Sequence, residues 1–140
     1  MPHPAPQTRA GVDALARNAE CESCHPEVAD EWRASLHAEA FTVREFQHAF
    51  RSEPLAFCRS CHAPEAGPAK EPALEAIGVA CVTCHLPEGE RVLAAARPAG
   101  AGGGAAPHPL ARSERFAGDE ACAACHEFTF PDRRPVPEFM

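Results

Sequence analysis

Cys21-Glu22-Ser23-Cys24-His25 is the first of four segments that share one spacing. The others are Cys58 to His62, Cys81 to His85 and Cys122 to His126. Each contains two cysteines three positions apart and a histidine directly after the second cysteine. Together the four motifs account for all 8 cysteines of the 140-residue chain. Any reading of the chain therefore has to explain this repeat.

A Cys-x-x-Cys-His segment is the attachment site of a c-type haem, in which the two thiols bond the porphyrin and the next imidazole binds the iron. Paired cysteines also bind zinc, and the gap between Cys61 and Cys81 fits a four-cysteine zinc template, while eight cysteines could form four disulfides. Neither alternative needs a histidine after every second cysteine, and the chain has only 8 histidines. The sequence therefore predicts four haem c groups. Their thioether links would come from Cys21, Cys24, Cys58, Cys61, Cys81, Cys84, Cys122 and Cys125, and their irons would be bound by His25, His62, His85 and His126.

The second axial ligand of each iron has to come from elsewhere in the chain. Both methionines are terminal, so bis-histidine ligation with low reduction potentials is expected. His37 would end a helix over 26–37, about 18 Å from His25, and would serve a different haem. His108 is held between two prolines, and His48 is either a ligand or a packed histidine beside phenylalanines. Four distal ligands are needed and four histidines are spare, but the fourth, His3, lies in the N-terminal arm and is a doubtful ligand. One iron could therefore remain five-coordinate.

The composition gives the chain little apolar material for a core of its own. It has one Trp, no Tyr, 9 Gly and 15 Pro. The expected fold is mainly α with much irregular loop, a small multihaem cytochrome c wrapped around a stack of four haems. A Pro-rich arm would cover 1–20 and a tetrahaem domain 21–130, with a flexible Gly/Ala/Pro linker at 98–107. The tail at 131–140 would be truncated or lie at an interface.

Local signals predict where the helices lie. We expect helices at 12–18, 26–37, 43–50, 73–77 and 119–126, and a strand or short helix at 91–96. A further short helix should start at Glu53-Pro54 and end with Cys58 to His62. The apolar residues Val28, Trp32 and Leu36 recur at helical spacing and would share one face.

The formal charge is -7, and haem propionates would make it more negative. A nucleic-acid partner is not expected. The charge instead suits a redox partner with a basic docking face.

No transmembrane stretch is found, and Met1 to Glu20 lacks the apolar core of an export signal. The predicted location is nevertheless periplasmic or otherwise extracytoplasmic, with the signal outside this numbering. Three phenylalanines near the end suggest a homo-oligomer interface or a larger parent chain.

Several segments resemble the multihaem cytochromes c, in particular the tetrahaem cytochrome that carries electrons for hydroxylamine oxidoreductase and its larger relatives. They are Trp32-x-x-Ser35-x-His37-Ala38-x-Ala40-Phe41, Phe57-Cys58-Arg59-Ser60-Cys61-His62-Ala63-Pro64, Gly78-Val79-x-Cys81-x-x-Cys84-His85 and Ala106-Pro107-His108-Pro109. The resemblance implies that the motif histidines are proximal ligands and that His37 and His108 are distal ligands.

The expected function is electron transfer through four covalently bound haems. The alternatives are a redox enzyme that acts on a small nitrogen oxide at one five-coordinate haem, and a subunit of a haem-stacked filament. No Cys-x-x-Cys-Lys segment marks a catalytic haem, and without Tyr there can be no tyrosine-crosslinked haem. The sequence thus favours an electron carrier over an enzyme.

Overall fold

A helix carries each of the four motifs in the computed structural model, which describes residues 13–67, 71–87, 91–97 and 106–128. The predicted mainly helical fold is confirmed there. The elements are α1 (Ala14–Cys24), α2 (Pro26–Arg33), α3 (Arg44–Ser52), α4 (Ala56–His62), α5 (Pro72–Ala76), α6 (Cys81–His85), β1 (Val92–Ala95), β2 (Leu110–Ser113), 3-10 turns at Arg115–Ala117 and Asp119–Ala121, and α7 (Ala123–His126). The predictions for His3, for most of the linker and for the tail fall outside the described residues.

Helix α1 is longer than predicted and runs directly into the first motif. The Asp13 carboxylate caps it by accepting from the Ala16 amide at 3.1 Å. In α1, α4 and α6 the two cysteines are three residues apart, so both project from one side of the helix. In the fourth motif Cys122 is the N-cap of α7 and Cys125 lies within that helix. The histidine that follows is the last helical residue, or in α1 the residue that caps the helix.

Helix α2 ends at Arg33, so the predicted helix over 26–37 is too long. Ser35 accounts for the early end, because both its amide and its hydroxyl donate to the Trp32 carbonyl, at 2.9 and 2.7 Å. Residues 34–43 form successive turns, and His37 lies among them rather than on a helix. The predicted apolar stripe is also wrong, since Val28 and Leu36 are 60% and 77% exposed and only Trp32 packs inward.

Helix α3 begins at Arg44, one residue later than predicted, and has no capping box. Val43 is its N-cap and makes no side-chain capping bond. The Thr42 hydroxyl instead donates to the Glu39 carbonyl at 3.4 Å, within the preceding turns. The helix at 119–126 is likewise only partly confirmed, because its first part is a 3-10 turn.

A small parallel sheet holds the part of the chain that follows the third motif. β1 pairs with β2 in the register Val92 to Leu110 and Ala95 to Ser113. The strand alternative at 91–96 is therefore confirmed, whereas β2 was not predicted. Because Pro109 accepts from the Val92 amide at 2.9 Å, the pairing also holds the backbone next to His108.

The described part of the chain has two small apolar clusters. One contains Phe41, Ala63 and Ala66, with Phe46, Phe50 and Leu74 packed against them. The other contains Ala80, Val82 and Leu86, with Ala14, Trp32, Ile77 and Val92 around them. Alanines make up about half of the buried members, so each cluster contributes little apolar surface.

Asn18 joins the helices of the first and third motifs. Its side chain is 2% exposed, and its carbonyl oxygen accepts from the Cys81 amide at 2.9 Å. Its amide group donates to Glu22 at 2.7 Å. One buried amide side chain therefore fixes where α6 begins relative to α1.

Replacing Asn18 with Ala should lower the free energy of unfolding by about 1–3 kcal/mol, because the Cys81 amide loses its acceptor in a buried place. Chemical unfolding of the purified protein followed by circular dichroism measures this. Ser23→Ala, at an exposed position of the same helix, is the control and should change stability by less than about 0.5 kcal/mol. Equal stability of the two variants would contradict the linking role of Asn18.

Candidate functional site

The cysteines of the motifs approach one another in two pairs. Cys61 of the second motif donates a hydrogen bond to Cys125 of the fourth. Cys21 of the first motif lies near enough to Cys81 of the third to affect its ionisation. The first motif thus neighbours the third, and the second neighbours the fourth.

The surroundings set the acidity of these thiols. The hydrogen bond from Cys61 lowers the pKa of Cys125 to about 7, although burial opposes the change. Burial raises the pKa of Cys21 and Cys58, and it raises that of Cys81 with a smaller contribution from Cys21. Three of the motifs therefore hold a thiol that is kept protonated more firmly than a free cysteine.

The arrangement of the cysteines bears on the zinc and disulfide alternatives. All eight lie in the described ranges, and none forms a disulfide. In the same ranges no three Cys, His, Asp or Glu side chains converge as a metal site would require. The four-cysteine zinc template between the second and third motifs is therefore not formed.

Two of the motif histidines face a second histidine from a distant part of the chain. The rings of His25 and His108 have centres 6.4 Å apart, and their planes are inclined at 66°. The rings of His37 and His126 have centres 6.1 Å apart, with planes inclined at 71°. Each pair thus brings one motif histidine together with one predicted distal ligand.

The other two motif histidines are oriented by backbone carbonyls. Nδ1 of His62 donates to the Ala40 carbonyl at 2.6 Å, and Nδ1 of His85 donates to the Leu93 carbonyl at 2.8 Å. With Nδ1 carrying the proton, Nε2 is the nitrogen left with a lone pair for a metal. Burial also lowers the pKa of His62, which favours the neutral, metal-binding form although the bond to Ala40 opposes it.

Aromatic rings flank the same two histidines. Phe46 stacks on His62 with ring centres 3.8 Å apart, and Phe116 meets the edge of His85 at 5.1 Å. These rings restrict how far each imidazole can turn. Sequence reasoning did not assign a role to either phenylalanine.

His108 carries a ring nitrogen that needs a partner. Its Nδ1 is buried and has no hydrogen-bond partner within the described structure. Buried polar atoms in proteins are nearly always satisfied. A bound iron would satisfy this nitrogen, so the residue fits the predicted role as a ligand.

His48 differs from the other predicted ligands. It is exposed on α3, and within the described ranges it pairs with no other imidazole ring. Its assignment as a distal ligand stays a prediction.

Arg59, inside the second motif, is a buried charged residue for which the sequence predicted no structural role. It forms an ion pair with Glu75 at 2.9 Å, donates to the Gly67 carbonyl at 3.2 Å and lies over the Phe41 ring. It also lines a cleft of about 640 Å³ between α3 and α4. Neither the cysteines nor the histidine of the second motif line this cleft, so it is not the place where that motif would hold its own haem.

The four attachment motifs and one comparison together support a c-type cytochrome. The model of a family described as cytochrome c554 and c-prime matches residues 20–86. This match covers a little less than half of the chain and includes the first three motifs and His37. Searches of curated proteins and of solved structures each found no match. None of the described helices is long and apolar enough to cross a membrane.

Replacing Glu75 with Gln should lower the free energy of unfolding by about 2 kcal/mol, because the buried Arg59 charge loses its counter-charge. The control is Glu45→Gln, since Glu45 pairs with Arg44 at 3.7 Å where both side chains are exposed. That variant should change stability by less than about 0.5 kcal/mol. Chemical unfolding of both proteins makes the comparison, and equal losses would contradict a structural role for Arg59.

Proposed function

We propose that this chain is an electron-transfer protein that carries four haem c groups, mostly with bis-histidine ligation. The two histidine pairs are the observation that supports this best. A cytochrome that binds a substrate at iron needs an open axial position, whereas a histidine on each side of the iron closes it.

The separations in the two pairs suit an iron between the rings. A metal lies about 2 Å from an imidazole nitrogen, and that nitrogen is about 1 Å from the ring centre. Two imidazoles on opposite sides of one metal therefore have ring centres roughly 6 Å apart. The pairs at 6.4 and 6.1 Å fall near this value.

The proposed ligands follow from these pairs. His25 and His108 would bind the iron of the first motif, and His126 and His37 that of the fourth. His62 and His85 would bind the second and third irons on one side through Nε2. His48 is the remaining described candidate for one of their open sides.

The cysteine neighbours suggest how the four haems are ordered. Thioethers would hold the edge of each porphyrin at its cysteines, so cysteines of different motifs that lie close together would bring porphyrin edges together. The contact between Cys61 and Cys125 would place the second haem beside the fourth. The proximity of Cys21 to Cys81 would place the first beside the third. Electrons would pass within each pair and between the pairs.

The chemistry divides between the cofactor and the chain. When bound, each haem supplies one-electron exchange at its iron. The chain holds the imidazoles, and the Ala40 and Leu93 carbonyls orient two of them and raise their basicity. The histidine pairs also keep water and other ligands away from two of the iron positions.

The partner and location are part of the same proposal. The formal charge of -7 suits a redox partner with a basic docking face. Thioether attachment of haem, as the resemblance implies, occurs outside the cytoplasm, which supports a periplasmic or other extracytoplasmic location. The resemblance to the tetrahaem carrier of hydroxylamine oxidoreductase supports a role as carrier rather than enzyme.

Optical spectra of the oxidised and reduced protein, followed by carbon monoxide, test this function. We expect the first and fourth haems to be low-spin and to bind the gas only as slowly as a histidine leaves the iron. His37→Ala and His108→Ala should each open one haem per chain to carbon monoxide, because each removes an axial ligand. His48→Ala shows in the same way whether that residue is a ligand.

The same spectra separate the proposal from its alternative. A haem of the unmodified protein that is high-spin and binds carbon monoxide at once would favour the enzyme that reduces a small molecule. If His37→Ala and His108→Ala both left carbon monoxide binding unchanged, the proposed ligand pairs would be wrong.

A further inference from the structure

We propose that Gly78 positions His37, so that the backbone just before the third motif holds the distal ligand of the fourth haem. This inference rests on the proposed function, because it requires His37 to be an iron ligand.

Two features require glycine at position 78. Its φ angle is +57°, a conformation that residues with a side chain rarely adopt. A Cβ atom placed there would also overlap the His37 carbonyl oxygen and lie 2.6 Å from that of Ala38. Gly67 has nearly the same φ, +51°, but a Cβ there would meet nothing within 4 Å. Close approach to the His37 backbone is therefore specific to Gly78.

Hydrogen bonds on either side of Gly78 hold this contact in place. The Val79 amide donates to the His37 carbonyl at 2.8 Å. The Trp32 indole N–H donates to the Val79 carbonyl, also at 2.8 Å. Segment 77–79 is thus fixed to α2 through Trp32 and to the His37 backbone through Val79.

The segment that carries His37 depends on such outside contacts. Residues 34–43 lie between α2 and α3 and form turns, so no regular helix fixes the position of His37. The His37 carbonyl accepts from the Ala40 amide at 3.3 Å, and the Ala40 carbonyl accepts from His62. The ligand proposed for the fourth haem is therefore tied to the backbone before the third motif and to the histidine of the second.

A metal site tolerates little displacement of its ligands. Metal–ligand distances hold to within about 0.2 Å of their ordinary values. Ordinary contact begins at 3.4 Å, so a methyl group at Gly78 would push the Ala38 carbonyl back by most of an ångström. His37 would then bind iron in a strained position or leave it more often.

The rate of carbon monoxide binding to the reduced holoprotein measures how often His37 leaves. At saturating gas this rate equals the rate at which the histidine dissociates. Carbon monoxide binding should show one kinetic phase whose rate is set by dissociation of His37. This phase is identified as the one that becomes immediate in His37→Ala. We expect Gly78→Ala to accelerate this phase by about 10–100-fold, the usual range for loss of a contact that orients a ligand.

Gly67→Ala is the matched control, because it introduces the same backbone strain without the contact. It should change the rate by no more than about twofold. Trp32→Phe keeps an aromatic ring but removes the bond to Val79, and it should accelerate the phase by about threefold or more. If Gly78→Ala yields no holoprotein, the rate measured for Trp32→Phe tests whether segment 77–79 positions His37.

The outcomes distinguish this inference from the function on which it rests. If His37→Ala changes no phase, the proposed ligation fails. If His37→Ala opens one haem but Gly78→Ala and Trp32→Phe bind carbon monoxide like the unmodified protein, the positioning role of Gly78 is wrong. Equal acceleration by Gly78→Ala and Gly67→Ala would also overturn it, since backbone strain alone would then account for the effect.

Discussion

Hydrogen bonds between the backbone and the histidine-bearing segments are the constraint on which the proposed haem sites depend. The His62 and His85 rings donate to the Ala40 and Leu93 carbonyls. His37 is held through its own carbonyl, which accepts from the Val79 amide. In each case the acceptor is a main-chain atom, so its position follows from the fold around it. The orientation of these histidines therefore depends on main-chain atoms, in the turns at 34–43, in segment 77–79 and in β1.

This arrangement suits a chain with little core of its own. The two apolar clusters are small and rich in alanine, and Asn18 and Arg59, both buried and polar, supply links that larger proteins obtain from apolar packing. The paired histidines add links between distant segments, since His108 meets His25 and His126 meets His37. Iron between the members of each pair would close long loops of the chain and stabilise the folded state.

The sequence predicted the motifs, the helix of the second motif and part of the helix of the fourth, because these depend on local spacing. It did not predict α6 or the part of α1 that carries the first motif. The family resemblance singled out His37 and His108, and each of them lies opposite a motif histidine. The sequence placed His37 on a helix that in fact ends at Arg33, since the side chain of Ser35 competes for the carbonyl that would continue the helix. β2 was missed because a four-residue strand depends on its partner. The ion pair of Arg59 with Glu75 and the contact of Gly78 with His37 depend on the tertiary fold, and local sequence carries no signal for either.

The mass of the intact, denatured protein, purified from a host that attaches haem to such motifs, tests the central claim most directly. Thioether-bound haem survives denaturation, whereas zinc and non-covalently held haem do not. The account predicts the mass of the chain plus four haem groups, one for each Cys-x-x-Cys-His motif. A mass without haem, or one that matches only disulfide formation among the eight cysteines, would contradict it.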